Sequence, residues 1–151
     1  MQITEYLDKS GVKYDVLEHR PVFSAQRLAQ IEHEPGRFVA KPVIVRADGR
    51  FLMCVLPADA KIDLEALKGQ LDAKSVELAD EEDFAGLFPD CEVGAEPPFG
   101  SLFQLETVMD KALEKDDHIV FRAGSHTKAI RLRMADYRQL AHPKVLNLHR
   151  Q

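Results

Sequence analysis

The hydrophobic positions of the chain change period several times, and each change marks an element. In Ile3-Thr4-Glu5-Tyr6-Leu7, the residues Ile3, Tyr6 and Leu7 share one helical face, and Gly11 supplies a stop. Tyr14 to His19 alternates and predicts a strand ending before Pro21. Ser24 is an N-cap type that opens a helix from Ala25 to about His33, with Leu28 and Ile31 inward, and Pro35-Gly36 breaks it. Val43-Ile44-Val45 and Phe51 to Leu56 are β-rich runs joined through Ala47-Asp48-Gly49, a strong hairpin signal. Both runs are nearly continuous in apolar residues, which predicts a sheet covered on both faces.

Further along, Asp63 or a near neighbour starts a helix carrying Leu64, Leu67 and Leu71. A short helix follows Asp80, with Phe84, Leu87 and Phe88 as a core stripe. Residues 89–100 hold three prolines and two glycines and predict no regular element. Leu102 to Leu105 reads as a short strand. His118 to Phe121 and Ala129 to Arg133 read as two more, joined by Ala123 to Thr127, and Met134 to Leu140 as a terminal helix. Strands and helices interleave without a repeat or a linker. The expectation is a single α+β domain over 1–151, with a mixed, mainly antiparallel sheet and helices packed outside it.

Composition narrows the function classes. The chain has 151 residues, 45% hydrophobic and 30% charged, too apolar for a disordered protein. No apolar run is long enough to span a bilayer, and the first residues lack the basic-then-apolar order of a secretory signal. Two cysteines are too few for a disulfide framework, so a reducing cytoplasm is the simplest compartment. The net charge of -5 argues against an extensive nucleic-acid coat. That total hides an asymmetry. Residues 118–151 hold seven Lys and Arg and one acid, a balance of +6, which leaves -11 for residues 1–117. The basic segment is either a chance pattern on solvated faces or a local anion site.

Familiar catalytic patterns are absent: no HExxH or HxH, no GxSxG, no Gly-rich phosphate loop. Neither a cofactor nor a metal is expected. Cys54 sits in an apolar strand, and Cys91, in a loop, has no electropositive neighbour to make a thiolate. Three features remain. Lys41 precedes an apolar strand and is held extended by Pro42; it is a solvated lysine or a cationic anchor emerging into a cleft. The loop Gly94-Ala95-Glu96-Pro97-Pro98-Phe99-Gly100 is a rigid connector, or a stiff wall whose bare amides hold a carbonyl. His126 lies in the loop Gly124-Ser125-His126-Thr127, as a surface histidine or as a group facing a ligand.

In order and spacing these segments resemble the YbaK / prolyl-tRNA synthetase-associated editing domains, small and often free-standing aminoacyl-tRNA deacylases. The resemblance covers roughly residues 2–145 and rests on the combination of the Ser24 helix, Ala40-Lys41 before the hairpin, Phe84 to Pro89, the Gly94–Gly100 loop and Gly124-Ser125-His126. It implies a barrel-like sheet and trans-editing hydrolysis of the ester of a mischarged tRNA at its acceptor end, with a synthetase as a further partner. Catalytic roles would fall to Lys41, His126 and the ends of the GxxxP loop, Gly94 and Pro98. Ala95, Phe99, Gly100, Gly124 and Ser125 would bind substrate, with Phe99 sizing the amino-acid pocket. The chain departs from many members at Pro42, where a small polar residue is common, and this bears on substrate choice. Two other readings stay open at this point: a non-catalytic module that binds acceptor ends or a synthetase, and a hydrolase of small activated esters.

Overall fold

A computed structural model describes residues 2–32, 35–92 and 94–150. Along the chain run α1 (Gln2–Ser10), β1 (Tyr14–Glu18), α2 (Ala25–Ile31), β2 (Ala40–Ala47), β3 (Arg50–Pro57), α3 (Leu64–Leu71), β4 (Val76–Leu78), α4 (Glu81–Phe84), β5 (Glu106–Asp110), β6 (His118–Ser125), β7 (Lys128–Arg133), α5 (Met134–Ala141) and β8 (Lys144–Leu146). The local chemistry explains several boundaries. Ser24 caps α2 by accepting from the Arg27 N–H at 3.1 Å, and Asp63 caps α3 through the Ala66 N–H at 3.1 Å. Asp48 and Gly49 both take positive φ, 49° and 84°, as a tight turn between twisted antiparallel strands requires. The end of the expected α2 at His33 lies outside the described residues.

Two sheets form. The smaller has the order β1-β7-β6, all antiparallel, and the larger the order β4-β2-β3-β5-β8. In the larger sheet β3/β5 and β5/β8 run parallel, so it is more mixed than the sequence pattern suggests. Among the described residues a parallel bridge, Val39 to Val120, links the sheets, which do not close into a barrel. The expected strand at Leu102–Leu105 is a 3-10 turn, Gly100–Phe103, ended by Gln104 at φ 61°. The true strand, β5, begins one residue later at Glu106.

Apolar residues gather in three clusters. The main one draws Ile3 and Leu7 of α1, Met53 and Val55 of β3, Phe121 of β6 and Tyr137 of α5 together. A second places Val22, Leu28 and Ala29 of the α2 region on Val39, Ala58, Val120 and Ala129. The third joins Val45, Leu52, Leu67, Val108 and Leu148. Phe88 is buried, while Phe84 and Leu87 pack partly buried against the main cluster. Pro42 lies where β2 has left β6 and not yet met β4, whose partners are Val45 to Ala47. Pro42 is in register with Val55 of β3, and a missing N–H is tolerated on its other side, where no strand pairs.

Candidate active site

Strand alternation sets where Lys41 points. Ala40 and Ile44 belong to the main cluster, whereas Val39 belongs to the second and Val45 to the third. Lys41 therefore faces away from the main core, in the notch between the two lateral clusters. Its Nζ donates to the Ala58 carbonyl at 3.3 Å. Burial holds the ammonium below the ordinary lysine range, against an upward pull from Asp59, with Lys61 adding to the lowering.

An irregularity in β6 builds the second part of the site. Arg122 pairs with Ala129, but the next partners are Ser125 and Lys128, so Ala123 and Gly124 bulge out of the ladder. Gly124 sits at φ 86°, a conformation that favours glycine. The bulge frees its backbone for the neighbouring loop: Gly124 N–H donates to the Ala95 carbonyl at 2.8 Å, and Glu92 N–H donates to the Gly124 carbonyl at 2.9 Å. At the hairpin tip the Ser125 and Thr127 hydroxyls bond each other at 2.9 Å. Residues before α2 pair with the same tip, His19 N–H to the Thr127 carbonyl and Val22 N–H to that of His126, both at 2.9 Å.

These bonds enclose His126. Its ring is 4.8 Å from that of Phe23, and its Nε2 lies 3.7 Å from a Glu92 carboxylate oxygen. A Cβ at Gly94 would sit 4.0 Å from His126 Cε1. The Nδ1 atom is buried without a hydrogen-bond partner among the described residues. Phe23, 74% exposed, lines a cavity of about 440 Å³ together with Arg20, Ser24, Arg27 and Gln30. A further cavity of about 420 Å³ is lined by Asp90, Cys91, Glu92, Pro97, Ser125 and Lys128.

The loop differs from the expected wall of bare amides. Gly94 N–H donates to Glu96 Oε1 at 3.1 Å, Ala95 N–H to the Glu92 carbonyl at 3.0 Å, and Phe99 N–H to the Pro97 carbonyl at 2.8 Å. Gly100 N–H is taken by the Thr107 hydroxyl at 2.8 Å, and prolines have no N–H to offer. Its far end turns into the core. The Phe99 ring is fully buried among Tyr6, Phe121 and Tyr137, so it cannot size a pocket as expected. The Pro98 carbonyl accepts from the Tyr137 hydroxyl at 2.6 Å. At Gly100 a Cβ would meet the Thr107 hydroxyl at 2.5 Å and the Leu105 carbonyl at 2.6 Å, which gives that glycine a packing reason.

Gly94, Ala95, Gly124, Ser125 and His126 thus come together, while Pro98, Phe99 and Gly100 do not join them. Lys41 is linked to the His126 region through the second apolar cluster, which contains Val22, Val39 and Ala58. Sequence reasoning missed Phe23, Glu92, Glu96 and Asp59. It counted Arg122 only as a basic residue, although a lone arginine in the run Ile119-Val120-Phe121-Arg122-Ala123 is itself a signal. Nor does the +6 segment form one basic patch: Arg122 is buried, Arg131 faces Asp15 at 3.9 Å and Arg138 faces Glu114 at 3.6 Å. Burial pushes the Cys54 thiol up to about 12; burial, with help from Glu96 and Asp90, pushes that of Cys91 up to about 11. Neither suits a thiolate nucleophile. Among the described residues no group of three or more His, Cys, Asp or Glu is placed to hold a metal, and no helix is long and apolar enough to cross a membrane.

The architecture is shared with known proteins. The crystal structure of hypothetical protein APE2540 superposes with a TM-score of 0.89 at 17% identity, covering 99% of this chain and 100% of that one. That of a candidate trans-editing enzyme for prolyl tRNA synthetase gives 0.85 at 17% identity, covering 99% and 96%. At such identity these likenesses show the fold alone. Sequence relatives go further. The multifunctional Ser/Thr-tRNA deacylase ProXp-y of Escherichia coli (strain K12) is 30% identical over 152 residues, covering 95% of this chain and 89% of its own. The prolyl-tRNA editing protein ProX of Acetoanaerobium sticklandii is 31% identical over 113 residues, covering 71% and 68%. The model of the aminoacyl-tRNA editing domain matches residues 19–140, which include Lys41, the Gly94 loop and His126. By that match and by the relatives it aligns with, the chain belongs to the aminoacyl-tRNA editing domain family.

Proposed function

We propose that the chain acts in trans, as a single editing domain in the cytoplasm, hydrolysing the ester between an amino acid and the terminal adenosine of a mischarged tRNA. The observation that carries this reading is His126: its enclosed Nδ1 has no partner, and its ring is held between Gly94 and Phe23 beside an arginine-lined cavity. Glu92 facing Nε2 favours the proton there and leaves Nδ1 as an acceptor for a proton of water. Phe23 offers a base a stacking surface, and Arg20 and Arg27 offer cations to the acceptor-end phosphates. Lys41, compact and partly desolvated, anchors a further phosphate or carbonyl oxygen.

Water adds to the acyl carbon, its proton passing to Nδ1. The tetrahedral intermediate then expels the ribose oxygen, which takes that proton back, leaving a free amino acid and an intact tRNA. Aminoacyl esters are activated, so positioning and electrostatics suffice without an enzyme nucleophile.

A panel of mischarged tRNAs tests this, beginning with Ser- and Thr-tRNA, the substrates in the name of the Escherichia coli relative. Wild type is expected to deacylate at least one, and Lys41→Ala to lose about 10²–10³-fold in rate. No turnover of any member overturns the reading, and an unchanged Lys41→Ala rate removes Lys41 from it.

A further inference from the structure

Ester hydrolysis needs hydrogen-bond donors at the acyl oxygen, where negative charge develops. The loop amides of Gly94, Ala95, Phe99 and Gly100 are all occupied within the fold. Pro97 and Pro98 have none, so the loop is a poor oxyanion hole. Apart from the Glu96 N–H, the loop has no amide to spare, and the side chains beside it are the other source of donors.

Arg122 is the outstanding unexplained donor. The residue is only 7% exposed, and its Nη1 is enclosed with no hydrogen-bond partner among the described residues. Guanidinium groups are almost never buried unpaired, because desolvating the charge is unfavourable unless something accepts from it. Arg122 stands immediately before the bulge that ties β6 to the loop. Its cross-strand partner Ala129 and its neighbour-but-one Val120 both belong to the second cluster, so Arg122 leaves β6 on the face that Lys41 shares. The opposite charge acting on it is Glu96 of the same loop, itself 5% exposed and engaged through Oε1 by the Gly94 N–H. A carboxylate fixed by the loop thus steadies a guanidinium that retains a free N–H.

We infer that Arg122 is a catalytic residue that donates from Nη1 to the acyl carbonyl oxygen and stabilises the oxyanion. This rests on the deacylase reading. The carbonyl accepts weakly in the ester; when water adds to carbon, the C=O π pair moves onto oxygen and the contact becomes charge-assisted. On collapse that pair re-forms the C=O bond and expels the ribose oxygen, which is protonated. The permanent cation on Arg122 neither gains nor loses a proton. Glu96 supplies the opposite charge that acts on the guanidinium from the loop.

Two measurements test the inference on the full chain. The first compares kcat and KM of Arg122→Met with wild type on the best substrate of the panel. A fall in kcat of about 10²–10³-fold, with KM nearly unchanged, is expected. A rise in KM with kcat unchanged would make Arg122 a ground-state contact and overturn the inference.

The second does not depend on Arg122→Met folding. It compares binding of two acyl-adenosine analogues, a tetrahedral phosphonate and a planar amide, to wild type and to Arg122→Lys. Wild type should prefer the phosphonate, and Arg122→Lys should lower that preference at least about tenfold while leaving amide binding nearly unchanged. An unchanged preference, or an equal loss for both analogues, overturns the inference. Wild type that hydrolyses its tRNA while Arg122→Lys keeps its preference defeats the Arg122 assignment alone. Wild type that neither hydrolyses nor binds any acyl-adenosine defeats the deacylase reading with it.

Discussion

Removing one oxygen atom tests whether the far end of the loop is scaffold or site. Tyr137 is fully buried in α5, and its hydroxyl reaches 39 residues back to the Pro98 carbonyl at 2.6 Å. Tyr137→Phe keeps the ring, and with it the edge contact to Phe99 at 5.0 Å between centroids. The loss is therefore confined to one hydrogen bond, worth about 0.5–1.5 kcal/mol net, plus the penalty of stranding a buried carbonyl, about 1–3 kcal/mol. Because these overlap, the expected destabilisation is about 1–3 kcal/mol. For a chain of this length that lowers Tm by roughly 2–12 °C. Urea denaturation should show a lower midpoint at an unchanged slope, since the surface exposed on unfolding is the same. Deacylation at a temperature where both proteins are folded should change by less than about threefold, because Pro98 faces the core. Stability within about 0.5 kcal/mol of wild type would refute the hydrogen-bond argument. A collapse of kcat in a fully folded variant would return Pro98 to the catalytic site.

Other substitutions separate packing from chemistry in the same way. Gly100→Ala forces a methyl against the Thr107 hydroxyl and the Leu105 carbonyl and should lose about 1–3 kcal/mol in chemical denaturation. Lys41 has a folded-state pKa below its unfolded one, so its charge destabilises the fold at neutral pH, and the penalty is relieved as pH rises through the depressed value. Lys41→Met should accordingly be at least as stable as wild type at pH 7, while losing about 10²–10³-fold in rate, and thermal scans should show the stability gap closing at alkaline pH. Cys91→Ser should deacylate at the wild-type rate between pH 6 and 8, since a thiol pushed up to about 11 is not a thiolate there. Fully buried Asp110 accepts from Leu148 N–H at 3.0 Å and meets His149 Nδ1 at 2.7 Å. Asp110→Ala should therefore lose about 1–3 kcal/mol and loosen the terminal segment, read as faster amide exchange at Leu148.

Elements with a local signal were legible in the sequence, and those made by distant partners were not. Ser24 and Asp63 cap helices where their side-chain chemistry says they should, and Asp48-Gly49 turns the hairpin. Strands β4, β5 and β8 owe their existence to neighbours in the larger sheet, and Val76–Leu78 and Lys144–Leu146 have too few residues to show a period. Leu102 to Leu105 misled because an apolar run does not reveal that Gln104 adopts a left-handed backbone. The same division holds in the site. Lys41, Gly94 and His126 stood out by type and flanking sequence. The arrangement of Glu92, Glu96 and Phe23 around them depends on a bulge that composition does not announce. Phe99 was misjudged because one aromatic in a Pro/Gly loop looks the same whether its ring faces a ligand or the core.

The bulge has a bearing on solubility as well. β6 is one of the two edge strands of its sheet, and beyond its bridge to Val39 the groups it offers sideways would template pairing with another chain. Its end is blocked twice, by the break in the ladder at Ala123 and Gly124 and by the loop that takes the Gly124 N–H and carbonyl. Deleting Ala123 and Gly124 together would restore a regular hairpin and expose that edge. The shortened protein is expected to self-associate, so the device that brings the Gly94 loop to His126 also keeps this edge of the sheet from growing.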